Sequence, residues 1–382
     1  MTLCNTKLGF PIFDTCGLQD GTTFALCGGG GSAKSGLGNS LCLCKLGPRP
    51  DAKTPGVDVA VLSKLDTGDK ISASCSLSSD DAWVAYELNG LLALAAVGKS
   101  GELKALELQP YKAAAPISTV QFVSWSASVV AIALANGDVE LVECAASGFA
   151  HRGTLVGHTK PVTELDSLGG LLLSASADDV RVWNETSAPC LQMLPADLSS
   201  GLVIKKARVV GAHVILALQN STARRGNSFL VAWKRPAADK PFELRKVVLC
   251  GKTSGTALGI DAHGDLVAVG DADSFVQLFS LGTLEPLRRV KQRLHSLPVT
   301  SVLFLKGPGQ PRYMLTSSAD ATCAMLRLDA LEGGDGCCSW VTLLVLAILA
   351  AGVAFAVGAS PELRALCLEA AHRVDAVVQT YM

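Results

Sequence analysis

The stretch Leu171-Leu172-Leu173-Ser174-Ala175-Ser176-Ala177-Asp178-Asp179-Val180-Arg181-Val182-Trp183 contains two short apolar runs on either side of an Asp-Asp pair. Each run is too short for an average helix, and Asp is typical of turns. The stretch therefore predicts two antiparallel strands joined by a tight turn.

The same two-strand pattern recurs along the chain, at intervals of 35 to 63 residues. The second strands of the repeated pairs are centred near Leu43, Leu106, Leu141, Val182, Val231, Leu278 and Leu326. Propeller blades of the WD type recur every 40 to 45 residues or so and contain four strands each. Seven units predict an all-β fold, a seven-bladed WD-type β-propeller over residues 1–333. We attribute the largest interval to an insertion between residues 47 and 70.

One unit carries most of the WD signature, because Gly157-His158 precedes it and Trp183-Asn184 ends it. His158, Ser174 or Ser176, and Asp178 also combine a base, a hydroxyl and a carboxylate, as a catalytic triad does. In WD repeats, however, these residue types form a hydrogen-bond network that ties a loop to its blade. We favour this structural interpretation and predict no catalytic residues and no enzymatic step.

The C-terminal region has a different composition, with no charged residue from Gly336 to Pro361. A helix that crosses a bilayer needs about 20 apolar residues. The sequence therefore predicts a transmembrane helix over residues 338–359, followed by a short lumenal tail over residues 360–382.

Charge and cysteine content limit the remaining possibilities. The formal net charge of −1 argues against a nucleic-acid partner, since nucleic-acid-binding proteins usually have a basic surface. The 13 cysteines include no opposed C-x-x-C pairs, which makes a zinc site improbable. Their odd number and the absence of a secretory signal at Met1–Phe10 favour reduced thiols, and hence a propeller that faces the cytosol.

The segment Gly28-Gly29-Gly30-Gly31-Ser32-Ala33-Lys34-Ser35-Gly36-Leu37-Gly38-Asn39 separates two apolar stretches. It is longer than the two to five residues of most hairpin connections, and four consecutive glycines are entropically unfavourable. A phosphate-binding loop would require glycine at Ala33 and a following helix. Two functions remain possible for the loop: it could bind a cation through its backbone carbonyls, or it could bind a partner protein.

Three features together resemble those of one protein family. They are a degenerate WD propeller, a C-terminal transmembrane span and a loop with the pattern Gly-Gly-Gly-Gly-x-x-Lys-x-Gly-x-x-Asn. This is the family of endoplasmic-reticulum exchange factors for the Sar-type small GTPase, which includes the prolactin regulatory element-binding protein. Gly9-Phe10-Pro11-Ile12-Phe13 resembles the opening of that family. Gly38 departs from it, because proline often precedes the asparagine there.

The resemblance implies a guanine nucleotide exchange factor that promotes GDP release and GTP loading of a Sar-type GTPase at the endoplasmic reticulum membrane. Exchange on the GTPase would start COPII vesicle coat assembly. The alternative is a membrane-anchored WD-repeat scaffold without exchange activity.

Carried over by position, the resemblance implicates Gly28, Gly29, Gly30, Gly31, Lys34, Gly36, Leu37 and Asn39 in GTPase binding. We expect Leu37 to supply an apolar tip, Asn39 to make the main contact from the surface, and a potassium ion bound by the backbone of Gly28–Gly31 to order the loop. His295 resembles a family histidine at the GTPase surface. Alternatively, it is the histidine of the last blade, paired with Asp320 inside the fold.

Overall fold

The strands of this protein are arranged as repeated antiparallel sheets. The computed structural model describes residues 3–32, 35–48, 57–185, 190–196, 201–223, 226–261, 265–290, 292–306 and 312–328. These residues form seven four-stranded sheets, which we number as blades 1 to 7 in chain order. The structure therefore confirms the all-β, seven-bladed propeller, an architecture consistent with a WD-repeat protein.

Blades 1 to 6 each consist of four consecutive strands, and the first strand of each lies at one edge of its sheet. Blades 1 to 3 contain β2 (Ile12–Gly17), β3 (Thr23–Gly29), β4 (Asn39–Pro48), β5 (Val57–Asp66), β6 (Cys75–Leu77), β7 (Trp83–Leu88), β8 (Leu91–Val97), β9 (Leu103–Ala105), β10 (Ile117–Phe122), β11 (Val129–Leu134), β12 (Val139–Ala145) and β13 (Gly148–Leu155). Blades 4 to 6 contain β14 (Glu164–Leu168), β15 (Leu171–Ala175), β16 (Asp179–Asn184), β17 (Gln192–Pro195), β18 (Leu202–Val210), β19 (Val214–Ser221), β20 (Ser228–Lys234), β21 (Glu243–Gly251), β22 (Gly255–Asp261), β23 (Leu266–Asp271), β24 (Val276–Ser280) and β25 (Pro286–Arg289).

Blade 7 joins the two ends of the propeller. It contains β26 (Val299–Lys306), β27 (Arg312–Ser318) and β28 (Thr322–Arg327), and its fourth strand is β1 (Leu3–Lys7) from the start of the chain. β1 pairs antiparallel with β28, with Lys7 opposite Thr322. This pairing covers an edge of β28 that would otherwise be exposed.

The hydrophobic core lies between neighbouring blades. Val180 and Val182 of β16 pack against residues of blade 5, whereas Trp183 of the same strand packs in a cluster with residues of blade 3. Because both faces of a central strand are buried, a strand such as β11 is a continuous apolar run rather than an alternating one.

Six of the seven predicted strand centres lie in the third strand of a blade, and the centre in blade 2 was wrong. The third strand of that blade is β8, whereas Leu106 lies just beyond β9. The predicted insertion between residues 47 and 70 was also partly wrong, because residues 57–66 form β5, the fourth strand of blade 1. The Asn89-Gly90 pair, a strong hairpin signal, would have located blade 2 correctly.

The seven blades belong to one compact unit, Thr2–Arg327. The predicted transmembrane helix (338–359) and lumenal tail (360–382) lie outside the described residues. Within the described ranges, no helix has the length and apolar character needed to cross a membrane.

Candidate functional site

The glycine-rich loop is the connection between β3 and β4 of blade 1. Gly28 pairs with Ser40 and Gly29 pairs with Asn39, so the first two glycines lie within the sheet. The Gly30 N–H then donates to the Gly38 carbonyl at 3.2 Å. Residues 30–32 and 35–38 lie in the projecting part of the hairpin, and Lys34 lies outside the described residues.

Crowding at the base of the loop explains its first two glycines. A Cβ on Gly28 would come within 3.0 Å of the backbone of Pro11, and one on Gly29 would come equally close to the side chain of Asn39. Both residues are buried. The entropic cost of these two glycines is therefore offset by a packing requirement, because a side chain at Gly28 or Gly29 would clash with its neighbours.

The next two glycines are explained by a close contact and by backbone conformation. A Cβ on Gly30 would overlap the side chain of Leu37, and Gly31 adopts a positive φ of 86°. At the tip, Gly36 has a φ of 70° and open space around it. The glycines at the base and at the tip thus serve different purposes.

Asn39 is buried and ties the loop to the blade. Its side chain is 3% exposed, and its Oδ1 accepts a hydrogen bond of 2.9 Å from the Gly31 N–H. Its Nδ2 donates to the carbonyls of Gly31 and Gly68, each at 2.6 Å. Asn39 was expected at the surface and is buried instead, because its side chain bonds to Gly31 of its own loop and to Gly68 of the connection between β5 and β6. A role of Asn39 in GTPase binding stays a prediction.

Leu37 is the apolar residue that the loop presents to solvent. Its side chain is 46% exposed, although apolar side chains of this size are usually buried. The Ser35 hydroxyl accepts a hydrogen bond from its N–H at 3.2 Å, which shapes the turn at the tip. The structure therefore agrees with the expected exposed apolar tip.

The expected cation site is only partly compatible with the structure. Gly28 and Gly29 lie in the sheet, so the backbone of all four glycines does not form a ring of free carbonyls. The carbonyls of Gly31 and Gly68 do converge, as ligands of a monovalent cation must, but Asn39 Nδ2 bonds to both. In the described part of the chain, no group of three or more His, Cys, Asp or Glu side chains could hold a metal ion.

The polar residues of blade 4 form the network of a WD repeat. His158 Nδ1 bonds to Asp179 Oδ1, and His158 Nε2 lies 2.7 Å from the Ser174 hydroxyl. Trp183 Nε1 donates to the same hydroxyl at 2.8 Å. Ser174 is fully buried between these two rings. With the Ser174 oxygen enclosed in this way, the network ties the hairpin to its blade, as the structural interpretation predicts.

The carboxylate of this network is Asp179 rather than the predicted Asp178. Ser176 Oγ bonds to Asp179 Oδ1 at 2.7 Å, while the Asp178 carbonyl accepts a hydrogen bond from the backbone of Ala196. Burial alone would raise the pKa of Asp179, but hydrogen bonds from His158 and Ser176 and the nearby charge of Arg181 lower it to about 2.

His295 occupies the corresponding position at blade 7. Its Nδ1 lies 2.7 Å from Thr322 Oγ1 and its Nε2 lies 2.8 Å from Thr316 Oγ1, while the Asp320 carboxylate is 3.7 Å away. The ring is buried, and burial lowers its pKa. This geometry matches the blade-histidine interpretation. A role at a GTPase surface stays a prediction, and it could not involve a free ring nitrogen.

The inner strands of blades 1 to 5 line a central cavity of about 250 Å³ that the sequence reasoning did not anticipate. Glu164 of β14 pairs there with Lys206 and Arg208 of β18, and these cations outweigh burial to lower its pKa. Burial raises the pKa of Asp14 and of Asp166 at the same cavity. These residues come together only when the ring closes, so no local motif marks them.

Models of known protein families give no match to this chain, and no curated protein matches it at a significant level.

Proposed function

We propose that this chain is a guanine nucleotide exchange factor for a Sar-type small GTPase, and that the glycine-rich loop of blade 1 is its exchange element. The observation that carries the proposal is the loop itself, in which a base locked by Asn39 supports an exposed apolar tip at Leu37. The order of glycines and asparagine along this loop is also the most specific part of the resemblance to that family.

A locked base suits an exchange element because ordering a flexible loop on binding would reduce the affinity. Exchange requires the factor to bind the nucleotide-free GTPase more tightly than the nucleotide-loaded form. A tip that inserts beside the nucleotide pocket achieves this preference without proton transfer or covalent chemistry. The functional contact then comes from Leu37 and the backbone of residues 35–38, while Asn39 acts as a positioning residue.

A potassium ion, if it orders the loop as the resemblance implies, would be held by the carbonyls of Gly31 and Gly68. These are the convergent oxygens at this position, and Asn39 Nδ2 bonds to both of them. The ion would supply a positive charge for the carbonyl dipoles to coordinate and would take no part in the exchange step.

The membrane location of the proposed activity is inferred from the sequence. The apolar segment 338–359 would anchor the chain as a single-pass protein of the endoplasmic reticulum, with the propeller in the cytosol and residues 360–382 in the lumen. At that membrane, GTP loading of the GTPase would start COPII coat assembly.

The direct test is the rate of GDP release from a Sar-type GTPase, measured by fluorescence of a labelled nucleotide with and without the full-length chain. We expect catalytic amounts of the chain to accelerate release, and we expect replacement of potassium by sodium to reduce the acceleration. Binding of the GTPase without acceleration would instead support the scaffold alternative, and absence of both would contradict the family assignment.

A further inference from the structure

Three cysteine side chains meet where blades 1 and 2 face each other. Cys16 lies on β2, Cys27 on β3 and Cys75 on β6, and all three belong to one apolar cluster. The sulfurs of Cys16 and Cys75 are 3.6 Å apart. Cys27 packs in the same cluster as Cys75. The three cysteines therefore form a thiol cluster between two blades.

The central cavity gives small molecules access to this cluster. Both Cys16 and Cys75 line the cavity of about 250 Å³. Cys16 is half-buried, whereas Cys75 is only 4% exposed. Water and small oxidants can thus reach Cys16. Both cysteines lie in regular strands, which hold their backbones in place.

The other cysteines with sulfur hydrogen bonds in the described residues have different surroundings. Cys144, Cys190 and Cys250 donate to backbone carbonyls of their own blades. The Cys16–Cys75 pair instead connects thiol to thiol across a blade interface. A disulfide needs a sulfur–sulfur distance of about 2.05 Å, so the two sulfurs need to approach by only about 1.5 Å.

We propose that Cys16 and Cys75 are an oxidant-sensitive dithiol that hydrogen peroxide converts to an inter-blade disulfide. In the first step the Cys16 sulfur attacks one peroxide oxygen, the O–O bond breaks, and Cys16 sulfenic acid and one water form. In the second step the Cys75 sulfur attacks the Cys16 sulfur, the S–O bond breaks, and the thiol proton leaves with the hydroxyl as a second water. Two thiols are oxidised and one peroxide is reduced.

The order of these steps follows from the surroundings of the two sulfurs. The neighbouring thiols of Cys16 and Cys27, together with burial, raise the pKa of Cys75 well above its ordinary value. A buried protonated thiol is a poor first nucleophile. Cys16, which faces the cavity, therefore reacts first, and Cys75 resolves the sulfenic acid because its sulfur already lies beside it.

The test uses the full-length chain, treated with hydrogen peroxide, alkylated and digested without reduction for mass spectrometry. We expect a cross-linked peptide pair that contains Cys16 and Cys75 and that disappears after dithiothreitol. In Cys16→Ser the cross-linked Cys75 peptide should fall more than tenfold. The matched control is Cys190→Ser, which removes a half-buried thiol in blade 4 and should leave the Cys16–Cys75 peptide unchanged.

The disulfides of the natural sequence can be mapped without any variant, so this result stands even if Cys16→Ser folds poorly. Overoxidised Cys16 without the cross-link would overturn the proposal, as would a dominant disulfide between other cysteines. Because the readout is the covalent product, its outcome is independent of GDP release and of the proposed exchange function.

Discussion

The hairpin between the second and third strands is long in blade 1 and short in blade 2. In blade 2 the ladder continues to the Leu88–Leu91 pair, and Asn89 and Gly90 close the turn with φ values of 50° and 80°. These values are typical of the tight turn that suits twisted hairpins. In blade 1 the ladder ends at the Gly29–Asn39 pair, and residues 30–32 and 35–38 project beyond it. Since two residues close the turn in blade 2, the projection of blade 1 is not needed to connect its strands.

The hairpin of blade 4 adds a contrast in how the base is anchored. There a charged Asp179 bonds to His158 and Ser176, whereas in blade 1 a neutral amide, Asn39, holds the backbone of Gly31 and Gly68. The base of each hairpin is thus specified by buried polar bonds. Of these two hairpins, that of blade 1 presents an exposed apolar side chain, Leu37, at its tip.

The largest effect should come from Asn39→Ala. This change leaves the N–H and carbonyl of Gly31 and the carbonyl of Gly68 without their partner, so we expect a loss of about 3 kcal/mol in unfolding free energy. Urea denaturation measures it. The control Asn136→Ala removes an exposed asparagine from the corresponding turn of blade 3 and should cost less than about 1 kcal/mol. Equal effects of the two changes would show that Asn39 is not an anchor.

Alanine substitutions at two glycines of the same loop should affect stability differently at its base and at its tip. Gly28→Ala forces a methyl group against the backbone of Pro11 and should cost about 3 kcal/mol. Gly38→Ala has open space around the new methyl group and should change stability by less than about 1 kcal/mol in either direction. Thermal and urea denaturation of both variants test this. Similar losses would mean that the tip is packed as tightly as the base.

Low pH should weaken the hairpin anchor of blade 4 but not that of blade 1. The pKa of Asp179 is about 2 in the fold, below its value of about 3.9 in an unfolded chain. Its contribution is therefore complete above about pH 4 and is lost as the pH falls through 2, a loss of about 2 kcal/mol. Unfolding free energies between pH 5 and pH 2.5 should fall more steeply for the natural sequence than for Asp179→Asn. The pH dependence of Asn39→Ala should parallel that of the natural sequence.

The smallest effect on stability, with a specific effect on function, should come from Leu37→Ala. Because the side chain is exposed, we expect a stability change below about 0.5 kcal/mol. If the tip binds the GTPase, GDP release should slow about tenfold or more, as for an apolar anchor. Leu168→Ala, at a leucine of blade 4 that is 44% exposed, is the matched control and should leave exchange unchanged. Equal exchange rates for all three proteins would exclude the tip as the contact.

The repeat pattern predicted most of the fold because each blade has two buried apolar strands around a polar turn. The prediction was wrong for blade 2, where Leu91–Val97 and not the region of Leu106 is the third strand. The carboxylate of the blade 4 network was also predicted one residue too early, at Asp178 instead of Asp179. A shift of one residue along a strand moves a side chain to the other face, so local sequence alone distinguishes such neighbours poorly.

The candidate site was predicted less completely. The motif located the loop, and the structure agrees on an exposed Leu37. The burial of Asn39 was missed because one of its partners, Gly68, lies in a different connection of the chain. Similarly, the clash at Gly28 depends on Pro11, which precedes it by a full strand.

By itself, the sequence determined the fold class, the number of blades and the position of the glycine loop, because these follow from local apolar runs and turn residues. Only the tertiary structure decided that β1 completes blade 7, that Asn39 anchors the loop, and that Cys16 and Cys75 meet at a blade interface. Each of these depends on residues far apart in the chain, whose positions are set by closure of the ring and by packing between blades.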